Sequence, residues 1–366
     1  MKTTIKREDL LNPLQQVIGA IERRQTLPIL GNILFKSLEG DISVTATDLE
    51  IEMISSVQIS SADDFQSTIP ARKLLDICKA LPGGSDISFQ IDANRVTMTS
   101  ARSRFTLATL PARDFPGLDE IEEQVSFALT QRELKELFDR TSFAMAQQDV
   151  RYYLNGILME IDPGFIKLVS TDGHRLALAQ FDMSIGVAES RQIIIPRKAV
   201  LELSRLLDGS DDQVTCILSP NHFRLRTSTL TFTTKLIDGK FPDYDRVIPV
   251  DGNKILSVER EMLKQSMSRI AILSNEKYRG IRLVLSNGNL SIQANNPYQE
   301  EAEEELHVDY DEGDMEIGFN VTYLIDVLNV LNSDNVQIKF KDANSSCIIS
   351  DTKTSKNLYV VMPMRL

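Results

Sequence analysis

Residues 166–178 read Ile166-Lys167-Leu168-Val169-Ser170-Thr171-Asp172-Gly173-His174-Arg175-Leu176-Ala177-Leu178. An alternating apolar run that ends in Thr-Asp-Gly is a strand entering a turn. The Asp, His and Arg that follow are residue types of an active site. The stretch has two weaker copies. Residues 42–51 read Ile-Ser-Val-Thr-Ala-Thr-Asp-Leu-Glu-Ile, and residues 290–299 read Leu-Ser-Ile-Gln-Ala-Asn-Asn-Pro-Tyr-Gln. Ile42, Ile166 and Leu290 stand 124 residues apart, as do Val44, Leu168 and Ile292, and Asp48, Asp172 and Asn296. A strand and a polar turn therefore recur three times at one period.

Working outward, the other segments repeat in the same order. Leu10, Leu11, Leu14, Val17, Ile18 and Ile21 lie on one face of a 3.6-residue period and predict a helix opening the first repeat, closed by Arg23 and Arg24. Strands are expected at 32–38, 41–47 and 50–59. Ile69-Pro70 leads into a second helix, 72–81, which Pro82-Gly83-Gly84 stops. Thr130 with Glu133 is a capping-box signature for the first helix of the next repeat, whose face is Leu134, Leu137, Phe138, Thr141 and Met145. Ile195-Pro196 opens its second helix, 197–207, and Phe241-Pro242 follows Phe115-Pro116 by 126 residues. Helices 259–272 and 321–331 complete the third repeat. Meandering strands with two helices per repeat predict an α+β fold in three tandem copies, 1–124, 125–252 and 253–366. Units of this size have their own cores, unlike solenoid repeats. A head-to-tail contact used repeatedly closes into a ring, and two such chains would supply six domains.

The chain has 366 residues, too many for one ordinary core. Its net charge of −12 repels nucleic acid and acidic membranes as a whole, so only a local basic surface could bind DNA. Such a surface is available around the helices, in Arg7, Arg23, Arg24, Arg72, Lys73, Lys79, Arg132, Lys135, Arg140, Arg197, Lys198, Arg205, Arg260, Lys264, Arg269, Lys277 and Arg279. The acids gather elsewhere, at 119–123, 208–212 and 300–316. Lys and Arg give DNA affinity through phosphates without reading sequence. Cys78, Cys216 and Cys347 are far apart and no Cys/His cluster exists, so neither a disulfide framework nor a metal site nor a cofactor is expected. No apolar h-region and no 18-residue apolar run occurs, so a cytoplasmic chain without a membrane span is expected.

Several longer segments carry a resemblance. They are Thr26-Leu27-Pro28-Ile29-Leu30-Gly31-Asn32, Gln148-Asp149-Val150-Arg151-Tyr152-Tyr153-Leu154-Asn155-Gly156, Thr171-Asp172-Gly173-His174-Arg175-Leu176, Asp238-Gly239-Lys240-Phe241-Pro242-Asp243-Tyr244, Ala271-Ile272-Leu273-Ser274-Asn275-Glu276-Lys277 and the terminal Val-Val-Met-Pro-Met-Arg-Leu. Along its whole length the chain resembles the bacterial DNA polymerase III β subunits, the sliding clamps, and among them the gammaproteobacterial type. The resemblance implies three copies of one DNA-clamp domain and a head-to-tail homodimer that rings double-stranded DNA without reading its sequence. It implies processivity for the replicative polymerase and no catalytic site.

For DNA contact the family positions match Arg24, Arg72, Gln148, Tyr152, Tyr153, Arg197 and Lys198; beside them the family often carries His where this chain has Gln147. A partner-peptide pocket is implied at Leu154, Thr171, Gly173, His174, Arg175, Leu176, Pro242, Arg246, Val247, Asn320, Tyr323, Ser346, Val360, Met362, Pro363, Met364 and Arg365. Flexible methionine side chains suit a slot that accepts several peptides. Its expected users are clamp-loader subunits, replicative and translesion polymerases, and mismatch-repair and initiation-regulating proteins, all docking through short linear motifs. Ring closure is implied at Arg102, Arg104, Phe105 and Leu107 against Ile272 and Leu273, with Glu300, Glu301, Glu303 and Glu304 facing basic partners. Exposed ion pairs are individually weak, so the apolar residues should dominate closure.

Two other readings of the residues stand beside this one. A hydrolase built on Asp172 and His174 would lack a Ser or Cys nucleophile motif, and Asp48 and Asn296 occupy the same turn without the His. An Asp there is most often a local hydrogen-bonding cap. A scaffold that binds peptides but not DNA would leave the basic helices unexplained.

Overall fold

The computed structural model describes residues 2–22, 27–58, 64–92, 94–118, 121–351 and 356–365. Arg23, Arg24, Thr26 and part of the 119–123 acidic run fall outside them. The chain forms two compact units, Met1–Gln131 with Ser210–Leu236, and Arg132–Gly209 with Ile237–Leu366. The middle repeat contributes to both.

Among the described residues the strands make four antiparallel sheets. In the first unit an eight-stranded sheet runs Phe65–Pro70, Asn32–Leu38, Asp41–Thr47, Ile51–Gln58, Leu230–Lys235, His222–Arg226, Gln213–Leu218, Val125–Thr130. In the second the order is Arg191–Pro196, Gly156–Asp162, Phe165–Thr171, Arg175–Asp182, Asn357–Val361, Cys347–Asp351, Asn335–Phe340, Lys254–Glu259. Each joins four strands of one repeat to four of the next. The two joints, Ile51–Gln58 with Leu230–Lys235 and Arg175–Asp182 with Asn357–Val361, are equivalent bond for bond. Lys235 donates its amide to Glu50 O at 2.9 Å, and Met362 donates to His174 O at 2.9 Å. A four-stranded sheet completes each unit: Lys2–Lys6, Asp86–Asp92, Arg95–Ser100 and Ser103–Ala108 in the first, and Glu301–His307, Asn289–Asn295, Gly280–Ser286 and Met315–Asn320 in the second.

The helices repeat in length. The first of each repeat, α1 (Arg7–Val17), α3 (Gln131–Thr141) and α5 (Arg260–Ile270), has 11 residues; the second, α2 (Ala71–Ala80), α4 (Arg197–Leu206) and α6 (Val321–Val330), has 10. Three residues of 3₁₀ helix end each first helix, at Ile18–Ala20, Ser142–Ala144 and Ala271–Leu273, so these helices stop short of the Ile21 and 272 limits that periodicity suggests. Each repeat opens with a strand rather than a helix. In Lys2–Lys6, Thr3 and Ile5 are buried by pairing with Asp86–Asp92, an event that two lysines and two threonines do not signal locally.

Several of the basic helix residues are structural. A cation from the first helix caps the C-terminal carbonyls of the second: Arg7 Nε bonds Cys78 O at 2.7 Å, Lys135 Nζ bonds Ser204 O at 2.8 Å, and Arg260 Nη1 bonds Leu328 O at 3.2 Å. This opposes the negative end of the helix dipole. Arg140 pairs with Glu136, Arg205 with Glu202, and Arg269 with Glu304. The cysteines are free and buried, and burial pushes each thiol up to about 12, which leaves them unreactive. Among the described residues no helix is long and apolar enough to cross a membrane.

Candidate functional site

The turn at 171–176 is built by its own side chains. Thr171 Oγ1 donates to Arg175 O at 2.6 Å and accepts from the Gly173 amide at 3.1 Å. Asp172 Oδ1 accepts the amides of His174 and Arg175, and Oδ2 accepts Arg175 Nε at 3.1 Å. Thr47 and Asp48 make the same bonds in the first repeat, to the amides of Leu49, Glu50 and Ile51, and Asn296 Oδ1 accepts the amides of Tyr298 and Glu300 in the third. What Asp172 holds is therefore the backbone of His174. That is a cap, not a catalytic pair. Gly173 has φ +89°, a backbone conformation that strains any other residue, and a Cβ there would sit 3.0 Å from the Arg151 guanidinium and press it aside.

Arg175 is a hub. Its side chain is 11% exposed and also bonds Asp326 of α6 at 2.5 Å and Phe143 O at 2.8 Å. Its guanidinium lies 4.5 Å from the Tyr323 ring centroid, and the His174 ring stacks on the same tyrosine at 6.4 Å. Leu154, Leu176 and Val360 join one apolar cluster with Ala146, Phe241 and Tyr244. Met362 continues the Asn357–Val361 strand onto the turn, and Met364 bonds Gly318 O at 2.8 Å. Asn320 caps α6 through the Thr322 amide. Pro242, Arg246 and Val247 stand exposed on the connector 237–253, with Arg246 paired to Asp243, and Ser346 is half-buried at the start of a neighbouring strand. The structure thus gathers the turn, the chain end and the apolar floor. Phe241 and Tyr244 bring the connector to that floor, while Pro242, Arg246, Val247 and Ser346 are not among the residues of the cluster.

The residues expected at DNA fall in both units. Arg72, in the first, is exposed at the start of α2 and bonds Ile21 O at 2.8 Å; Arg197, in the second, is the first residue of α4 and bonds Met145 O at 3.0 Å, and Lys198 stands at the position that matches Arg72. Arg24 lies outside the described residues. Tyr152 and Tyr153 sit in a 3₁₀ turn; Tyr152 is 56% exposed and Tyr153 packs on the apolar cluster. Gln148 has φ +57°, a left-handed conformation that a non-glycine residue seldom adopts. A polar basin of about 400 Å³ brings one of this set, Arg197, to the turn, where it lines the basin together with Gln147, Arg151, His174, Arg175 and Tyr323. Arg151, missed in sequence although it lies inside a quoted motif, bridges the two. It bonds Asp149 at 2.8 Å and Asp172 O at 3.3 Å, and holds the Asp149 carboxyl down to about 2.

The residues expected at ring closure lie on sheet edges. Ser103–Ala108 is an edge strand of the first unit, with Arg102 and Arg104 exposed and Phe105 and Leu107 half-buried. Glu301–His307 is an edge strand of the second and touches α5; Ile272, just past the end of that helix, is 76% exposed. Glu304 is already held by Arg269, Glu303 by Ser291 and Gln293, and Glu300 by Asn296. Tyr298, exposed at the tip of the preceding turn, is a further apolar residue here.

Comparison with known proteins is consistent along the chain. The family models for the DNA polymerase III beta subunit match in three parts, the N-terminal domain at 1–119, the central domain at 128–243 and the C-terminal domain at 245–365. The chain is 52% identical to the beta sliding clamp of Pseudomonas aeruginosa and 50% to that of Escherichia coli, in each case over all of both chains. A crystal structure of the P. aeruginosa clamp bound to griselimycin superposes with a TM-score of 0.97 at 52% identity, again over all of both chains. The chain therefore belongs to the DNA polymerase III β-subunit family, the β sliding clamps.

Proposed function

We infer that this chain is a DNA sliding clamp, an accessory subunit without catalysis of its own that keeps the replicative polymerase on duplex DNA. The observation that carries the reading is the full-length likeness to clamps, with all three repeats present. In it the three clamp domains are 1–124, 125–252 and 253–366, and two copies close head to tail. The basic edge strand with Arg102, Arg104, Phe105 and Leu107 meets the acidic edge strand with Glu300, Glu301, Glu303 and Glu304 beside Ile272 and Leu273. Two unpaired edges of opposite charge are complementary, and pairing them removes an aggregation hazard.

Arg24, Arg72, Gln148, Tyr152, Tyr153, Arg197 and Lys198 contact the DNA backbone, which allows sliding because no base is read. The turn, chain end and connector, from Leu154 and Thr171 to Met362, Met364 and Arg365, form the pocket for linear motifs of polymerases, clamp loader, repair and initiation-regulating proteins in the cytoplasm. A topological hold predicts retention on nicked circular DNA only after loading with clamp loader and ATP, and release once the circle is linearised. Gel filtration of loaded complexes reads this directly; equal retention on linear and circular DNA overturns it.

A further inference from the structure

We propose that Tyr244, clasped by Glu160 and Lys167, is the positioning residue of the peptide pocket, because its hydroxyl fixes the connector that carries Pro242, Arg246 and Val247. The proposal rests on the pocket reading above. Between 237 and 253 the backbone has only one 3₁₀ turn, Tyr244–Val247, and no ladder of its own. Such a segment needs side-chain anchors to keep a fixed course. Phe241 and Tyr244 supply the apolar anchor by entering the cluster of Leu154, Leu176 and Val360.

The polar anchor is made by strand register. Glu160 lies opposite Lys167 on one neighbouring strand and Gln192 on the other. Gln192 donates to Glu160 Oε1 at 2.6 Å, Lys167 Nζ lies 3.2 Å from Oε2, and the Tyr244 hydroxyl donates to Oε2 at 2.7 Å. Lys167 Nζ also donates to the Tyr244 oxygen at 3.2 Å and sits 5.8 Å from the centre of its ring. Two of the carboxylate's partners thus come from the strands on either side of it, and the third is the phenol. A hydrogen bond to a charged, half-buried acceptor is among the stronger kinds. Burial, and then this bond, push the phenol well above its ordinary range, so it stays a donor at any working pH.

The first copy of the fold provides the contrast. The same register places Lys36 opposite Ser43 and Gln66. Phe115-Pro116 puts Leu118 where the second copy has Tyr244. Leucine has no hydroxyl, Lys36 no acceptor, and Leu118 is tied instead through its amide to Glu52 at 3.2 Å. Of these two copies, the one that has the clasp is the one whose turn carries the proposed pocket residues. A connector held in one course presents Pro242, Arg246 and Val247 without an ordering cost when a peptide docks.

Tyr244→Phe keeps the packed ring and removes the bond. Titrated with a fluorescein-labelled peptide from the C-terminus of the replicative polymerase, the variant should bind about three- to tenfold more weakly. Amide exchange should rise at residues 243–248 and stay unchanged in the strands Gly280–Ser286 and Asn289–Asn295. Wild-type affinity, or exchange raised across the whole chain, overturns the proposal. A chain truncated after Val361 is the control and should lose the peptide. Loss on truncation with wild-type binding by Tyr244→Phe removes the clasp alone, whereas binding retained after truncation removes the pocket reading and the clasp with it.

Discussion

At the residue scale, the contrast between Leu176 and Glu52 shows how one backbone takes two characters. Both stand four residues after the capping Asp of their turn, opposite Val360 and Thr233 respectively. Leu176 closes an apolar floor, while Glu52 is buried and holds the Leu118 amide. Burial pushes the Glu52 carboxyl above the usual carboxylate range, against the pull of the Leu118 bond and of Arg224. A carboxyl whose folded pKa is raised contributes nothing adverse below its unfolded value, and its ionisation removes stability as pH rises through the folded value. Glu52→Gln, which keeps the accepting oxygen, should therefore melt a few degrees higher than the wild type at pH 7–8 and equally at pH 4. Thermal melts across that range check it; a gain independent of pH, or a loss at neutral pH, contradicts this account.

At the element scale, helix pairs explain how several of the basic residues belong to the fold. Arg7, Lys135 and Arg260 reach from one helix to the C-terminal carbonyls of its partner, one such contact per repeat. Arg260 also bonds Ser333 O at 3.1 Å. Replacing a charge-assisted bond to orphan carbonyls removes about 1–3 kcal/mol. Arg260→Met should lower stability by that amount in urea unfolding while leaving DNA retention unchanged. Loss of retention at full stability would put Arg260 on the DNA face instead.

At the scale of the whole molecule, the proposed closure should depend on few apolar atoms. Exposed ion pairs give little each, and Glu300, Glu303 and Glu304 already have partners inside the chain. Ile272 and Leu273 should therefore govern association, with Tyr298 at the rim. Ile272→Ala with Leu273→Ala should run near 41 kDa in light scattering, where the intact protein, as the proposed dimer, should run at about 82 kDa, twice its 41.2 kDa. An unchanged dimer mass would move the interface elsewhere.

Much of this was legible in the sequence. The three-fold period, the two helices per repeat and the turn-capping role of Asp48, Asp172 and Asn296 follow from local chemistry: apolar spacing sets helices and strands, and an Asx side chain satisfies the amides beside it wherever it falls. The motifs also carried the family. Sequence did not show that the strand Lys2–Lys6 exists, that Arg7, Lys135 and Arg260 serve helix ends, or that Arg175 is enclosed by Asp326, Phe143 and Tyr323. Nor did it show that Arg151 joins the loop at Gln148 to the turn at Gly173, or that Tyr244 is tied to Glu160. Each of these depends on residues distant in the chain, and only the packing of strands and helices into the folded repeats brings such groups within reach of one another.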